Sequence, residues 1–315
     1  MTPPGPPDAW SPRPYHQVLR GPAHRWWRPL LGLGVVLAGL AAVLLGTLVV
    51  TVVATAVGAV RLEDPADALD EWWVLLVTNL GLAALIPVSA LAVLAGHGWR
   101  PGFLSSVEGR LRWRWLLVCA AVSAVVLVGG TAVLWGVGGV PSGRGGEDVV
   151  LLLAVVLLTT PLQAAGEEYL FRGWLTQAVG SWLRGPVVSA VVAALVSASL
   201  FALAHGAQNA WLFTDRLAFG LLGSYLVWRT GGLEAAIAVH AVNNVVVLVP
   251  TVLTGGLADA LSVTSAPALP VLLDLAVMAV TGVALTLAAR WAGVRRLLVP
   301  PPPAAGVLAP SRPLG

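Results

Sequence analysis

Long apolar runs constrain this chain more than anything else in it. Between residues 29 and 290 the sequence repeatedly holds about 20 residues with hardly a charge, the length a helix needs to cross the hydrocarbon of a bilayer. Only 10% of the 315 residues are charged, against about 25% in ordinary soluble domains. Lipid offers the backbone no hydrogen-bond partners, so each such run must satisfy its amides internally, as a helix. The predicted fold is therefore an all-α, polytopic transmembrane bundle of about eight spans. They are placed at about 29–60, 72–96, 112–138, 148–165, 186–206, 212–229, 233–254 and 268–290. The fourth is expected to continue to 183 with a kink at Pro161, because proline removes a donor and crowds the preceding turn.

Arginine placement orients the bundle. All 18 basic residues are arginine, and they gather in alternate loops. Arg13, Arg20, Arg25 and Arg28 precede the first span, Arg100, Arg110, Arg112 and Arg114 follow the second, and Arg290, Arg295 and Arg296 follow the last. The intervening loops carry Glu63, Asp64, Glu147, Asp148 and Asp259. By the positive-inside rule both termini are expected in the cytoplasm of a multi-pass cell-membrane protein. This basic balance serves topology, and no nucleic-acid partner is expected. Residues 1–28 and 298–315, rich in proline, read as disordered tails. Between them lie N-terminal spans over 29–147, a core over 148–254 and the last span within 255–297. Cys119 stands alone in an apolar run, so neither an internal disulfide nor a cysteine zinc site is available.

Three polar islands interrupt the second half: Glu167-Glu168-Tyr169-Leu170-Phe171-Arg172, Phe201-Ala202-Leu203-Ala204-His205 and His240-Ala241-Val242-Asn243-Asn244. Charge at bilayer depth is costly and usually turns inward to a function. Glu168 and Arg172 are four apart and pair on one helix face. Glu167 points about 100° away and is left to face a cavity as a candidate general base. His240 and Asn244 are again four apart and project into common space, whereas Asn243 points elsewhere. Each island alone also fits a bland role: an ion pair at a span end, a packed histidine, an interhelical hydrogen bond. Asp274 is read as interfacial or as a helix contact, Glu234 as a charge favouring the start of span seven, and Asp215 and Arg216 as solvated residues of a short loop. At 1.5 Å rise per residue, simple spans leave His205 near the outer end of span five and His240 in the opposite half. Span five must then start late, tilt or bend inward for the two to meet.

Taken in order, Glu-Glu-x-x-x-Arg, Phe-x-x-x-His and His-x-x-x-Asn resemble the CPBP family of intramembrane proteases, which includes the type II CAAX prenyl proteases and the bacterial Abi proteins. The resemblance covers about 148–254. It implies a membrane-embedded peptidase in which Glu167 activates the attacking water, His205 holds that water and shuttles protons, and His240 and Asn244 stabilise the oxyanion. Glu168 and Arg172 take supporting positions. The implied partners are the lipid bilayer and a peptide or membrane-anchored protein substrate. Composition suggests a bacterial source. Zinc or another divalent metal on Glu167, His205 and His240 stays open as a metalloendopeptidase variant, although no His-Glu-x-x-His is present. Two other classes compete: a proton-coupled transporter using the same cluster as a relay, and a non-catalytic immunity or scaffold protein. The lack of a visible internal repeat counts against the first.

Overall fold

A computed structural model describes residues 12–21, 24–58 and 71–299. The chain is helical almost throughout. The first span is α1 (Arg28–Ala56). The second is two helices, α2 (Trp72–Ala83) and α3 (Leu85–His97), joined at Ala84. A short α4 (Gly102–Ser105) precedes α5 (Trp113–Gly138). The fourth span is α6 (Val149–Glu168), a π-helical stretch over Tyr169–Leu175, and α7 (Thr176–Trp182). There follow α8 (Pro186–Leu203), α9 (Ala210–Thr230), α10 (Glu234–Thr254), α11 (Leu257–Leu261) and α12 (Ala268–Trp291). Predicted residues 59 and 60 of span one lie outside the described residues.

Among the described residues, seven helical segments are long and apolar enough to cross a membrane. The eight expected helices all form, but α9 is not among the seven. It carries Asp215, Arg216 and Arg229. These charges lie inside the helix, so Asp215 and Arg216 are not loop residues as expected. A topological fact bears on α9. Arg13–Pro14 (β1) pairs antiparallel with Leu297–Leu298 (β2). The segment before α1 and the segment after α12 therefore lie on one face, which requires an even number of traverses. Seven crossings plus α9 satisfy this.

That pairing corrects the expectation of free tails for residues 12–19 and 298, while residues 1–11 and 300–315 of the expected tails lie outside the described residues. Arg13, Tyr15, His16, Gln17, Val18 and Leu19 are buried. Tyr15 donates its hydroxyl to the Leu104 carbonyl, and Val18, Val227, Leu233 and Leu298 share one apolar cluster. Arg20 Nη1 donates to Ser181 O at 2.8 Å. Proline and arginine richness suggested a solvated segment. The apolar residues between them, too few to form a core alone, close one end of a core built by helices.

At the centre, α10 packs on α6 and α5, α2 packs on α6, and α9 packs on α8 and α12. Pro161 lies within α6 without ending it, and the helix runs on to Trp182. The α9–α10 turn is held by Val107 N to Gly231 O and Leu233 N to Ser105 O, both 2.8 Å. Gly231 there adopts φ 68°, a left-handed cap that costs glycine nothing. Arg112 locks the start of α10: its Nη2 lies 2.6 Å from Glu234 Oε2 and its backbone N 2.9 Å from Oε1, with Glu234 fully buried. Glu234 is thus the anchor of a buried ion pair rather than a simple helix-end charge.

Candidate active site

The recessed α9–α10 turn resolves the depth problem posed by the sequence. Glu168 stands 14 residues before the end of α7, roughly 21 Å along the axis, and Phe201 stands roughly 22 Å into α8. His240 is only roughly 9 Å into α10. All meet at one level because α10 begins deep, beneath the cover of residues 13–19, 104–107 and 297–298. The rings show the convergence directly. Phe201 is edge-on to Phe171 at 5.5 Å, to His205 at 4.8 Å and to His240 at 5.7 Å. Phe219 of α9 closes on His240 at 5.2 Å. Span five supplies the rest by ending at Leu203. His205 then folds back, its Nδ1 2.8 Å from Phe201 O.

Donors and acceptors alternate through the site. Arg172 Nη1 donates to Glu168 Oε1 at 2.8 Å, both side chains essentially unexposed. The same Oε1 accepts from His240 Nδ1 at 2.9 Å. On its other side, His240 Nε2 lies 3.5 Å from Glu167 Oε2. Arg172 also rests over the Phe201 ring, 4.1 Å from its centre. Guanidinium, carboxylate, imidazole and carboxylate thus form a row, and Glu167 is its loosely held member, 13% exposed. The π-helical stretch begins one residue after Glu168. Such widened turns are frequent at functional sites, and this one carries Arg172.

Tautomers follow from partners. A carbonyl and an ionised carboxylate only accept. His205 therefore carries hydrogen on Nδ1 toward Phe201 O, and His240 carries hydrogen on Nδ1 toward Glu168. A neutral His205 presents the lone pair of Nε2. A protonated His240 would have a carboxylate facing each ring nitrogen.

Glu167, His205, Asn243 and Asn244 line one cavity of about 430 Å³. A second space of about 240 Å³, also bounded by His205, reaches His240, Asp215 and Asp274. Asn244 Nδ2 donates to Gln163 Oε1 at 3.2 Å. Asn243 does not point away as expected: its Nδ2 lies 3.5 Å from Asn244 Oδ1. Asp274 of α12 shares this second space with Asp215 of α9, in keeping with the helix-contact reading.

Four residues escaped the sequence reading. Gln163 sits four residues before Glu167, so helical spacing alone places it on the same face. Asn79 of α2 bonds Thr159 at 2.8 Å and Thr160 at 3.1 Å, tying the cavity wall to α6. Gly220 and Gly223 of α9 face Arg172. A methyl group on Gly220 would fall 2.8 Å from Ala198 and 3.2 Å from Arg172 Nη2. Nothing in a local pattern marks glycines for such an approach.

Among the described residues, no three His, Cys, Asp or Glu side chains converge as metal ligands. Glu167, His205 and His240 are not among such groups as they stand, although a His240 that bonds Glu168 through Nδ1 and turns Nε2 toward Glu167 is compatible with ligation.

Known proteins place these residues in context. Residues 148–246 match the family model described as type II CAAX prenyl endopeptidase Rce1-like. Over 101 residues the chain is 33% identical to the uncharacterized protein YyaK of Bacillus subtilis (strain 168), which covers 30% of this chain and 32% of that one. The chain thus spans about a third of the length of this curated relative. No solved structure matches it. The segment 148–246, which holds all three motifs in order, is thus similar to the type II CAAX prenyl endopeptidases of the Rce1-like family.

Proposed function

We propose that this protein is an intramembrane endopeptidase that hydrolyses a peptide bond of a membrane-associated substrate. Glu167 takes a proton from water while His205 Nε2 holds that water by its second hydrogen. The hydroxide attacks the carbonyl carbon. The oxyanion then accepts hydrogen bonds from Asn244 Nδ2 and from Nε2 of a protonated His240. A proton returned from Glu167 or His205 reaches the amide nitrogen as the C–N bond breaks, leaving a carboxyl and an amine terminus. Donors fixed in a water-poor site favour this developing charge. Glu168 and Arg172 hold His240 in register. Arginine placement supports a cell-membrane protein with both termini on the cytoplasmic side.

The observation that carries the reading is the division of labour between adjacent glutamates. Glu168 is consumed by Arg172 and His240, whereas Glu167 opens on a cavity shared with His205. Purified protein in detergent, given candidate membrane peptides, is expected to cleave them. Glu167→Ala and His205→Ala abolish turnover. Equal turnover by wild type and both variants would refute the assignment. Comparative membrane proteomics of wild-type and Glu167→Ala cells then identifies the precursor that accumulates.

The Asp215–Asp274 pair beside the same histidines favours a proton relay as the second reading. Proton-gradient-dependent uptake in proteoliposomes, without hydrolysis, would select it.

A further inference from the structure

The cavity that holds Glu167 and His205 also holds one guanidinium. Arg216 of α9 lines both spaces of the site. The proposed chemistry does not use it, and a cation within a membrane bundle that faces a cavity commonly marks a substrate or ion path. Its setting is built. Gln208 Nε2 donates to Ala202 O at 2.7 Å, which aims Gln208 Oε1 at Arg216. Arg216 Nη1 donates to that oxygen at 2.8 Å. The remaining donors carry no hydrogen bond, and among the described residues Arg216 makes no ion pair. Of the nearby carboxylates, Asp215 acts on Arg216 only through space and is shared with Asp274, and Glu167 approaches His240 at 3.5 Å. Arg216 is thus positioned by a neutral amide, is hydrogen-bonded to no carboxylate among the described residues, and keeps donors in the fork geometry that matches a carboxylate.

We infer that Arg216 is a specificity-determining residue that receives a carboxylate of the substrate inside the catalytic cavity. This rests on the proposed peptidase reading for the word substrate, but the binding itself does not require turnover. The carboxylate comes either from a free C-terminus or from an acidic side chain close to the cut. Gln208 is a positioning residue, acting through Arg216.

The test uses the full chain in detergent, carrying Glu167→Gln so that nothing is consumed. The probes are N-terminally palmitoylated heptapeptide pools with the last three positions randomised, made as free acids, as C-terminal amides, and as amides with one fixed aspartate. Binding is read by anisotropy of a fluorophore on the peptide. The expected result is tighter binding of the acid pool than the amide pool by roughly 10- to 100-fold, the worth of a hydrogen-bonded charge pair. That preference is lost when Arg216→Gln is added and kept in part with Arg216→Lys. A matching gain for the aspartate-amide pool places the carboxylate on a side chain instead of the terminus. The inference is overturned if acid and amide pools bind equally or neither binds, or if the preference survives Arg216→Gln. Unfolding temperatures of the variants check that the fold is intact. With Glu167 restored, acid preference without hydrolysis would end the peptidase reading and leave Arg216 as a carboxylate receptor. Hydrolysis indifferent to Arg216→Gln would do the reverse.

Discussion

Neutralising either of the two neighbouring glutamates should produce opposite defects, and the structure sets the sizes. Glu168→Gln keeps the shape of the side chain but removes the charge opposite Arg172, which is fully buried. Breaking one partner of a buried pair costs about 3–5 kcal/mol, because the other charge is stranded. The lower end applies here. Arg172 makes a single hydrogen bond to Glu168 and keeps its place over Phe201, while its Nε and Nη2 have no protein partner in either form. A loss of about 3 kcal/mol is therefore expected. Glu167 has only the 3.5 Å approach to His240 and is partly exposed. Glu167→Gln should change stability by less than about 1 kcal/mol, yet abolish turnover. Tryptophan fluorescence during denaturant unfolding in micelles reads the first quantity, since Trp174 is buried two residues beyond Arg172. Peptide hydrolysis reads the second. If Glu168→Gln is as stable as wild type, or if Glu167→Gln falls as far, the assignment of separate roles is wrong.

Three further outcomes follow. Burial lowers the pKa of His16 to about 4, although its bond to Pro186 O opposes this. The segment carrying it therefore docks as neutral histidine. That contribution is complete above pH 6.5, the ordinary value. It is lost as pH falls toward 4, so limited proteolysis near residues 12–21 should accelerate over that window and His16→Phe should blunt the effect. Gly220→Val should drive α9 off α8 and Arg172, lowering both yield and activity, whereas Gly34→Ala, with open space around it, should be silent in both assays. Stripping divalent metals with a chelator should leave peptide hydrolysis unchanged if Glu167 and His205 act on water directly; loss restored by zinc would sink that mechanism.

Run length and charge spacing made much of this molecule readable before its coordinates. The boundaries of α5, α8, α10 and α12 follow from where apolar runs end. The Glu168–Arg172 pair follows from a four-residue interval. What stayed hidden depends on partners far apart in the chain. Asn79 meets Thr160, and Asn244 meets Gln163, across about eighty residues. The placement of Gly220 against Arg172 exists only once α9 has docked. The π-helical stretch continues an unbroken helix from Val149 to Trp182, so no break in the sequence announces it. Residues 12–21 misled because their few apolar side chains find a core only at the base of the helices.

The clasp between Arg13–Pro14 and Leu297–Leu298 has a consequence for biosynthesis. The floor under the α9–α10 turn is completed by residues that emerge after the last helix. A nascent chain can insert every span and still lack Leu298 beneath Leu233 and Val227. His240 would then sit on an unsupported helix start. Completion of that floor is deferred until the ribosome has passed Leu298, so a chain cut soon after Trp291 would keep every helix yet lack the support under His240.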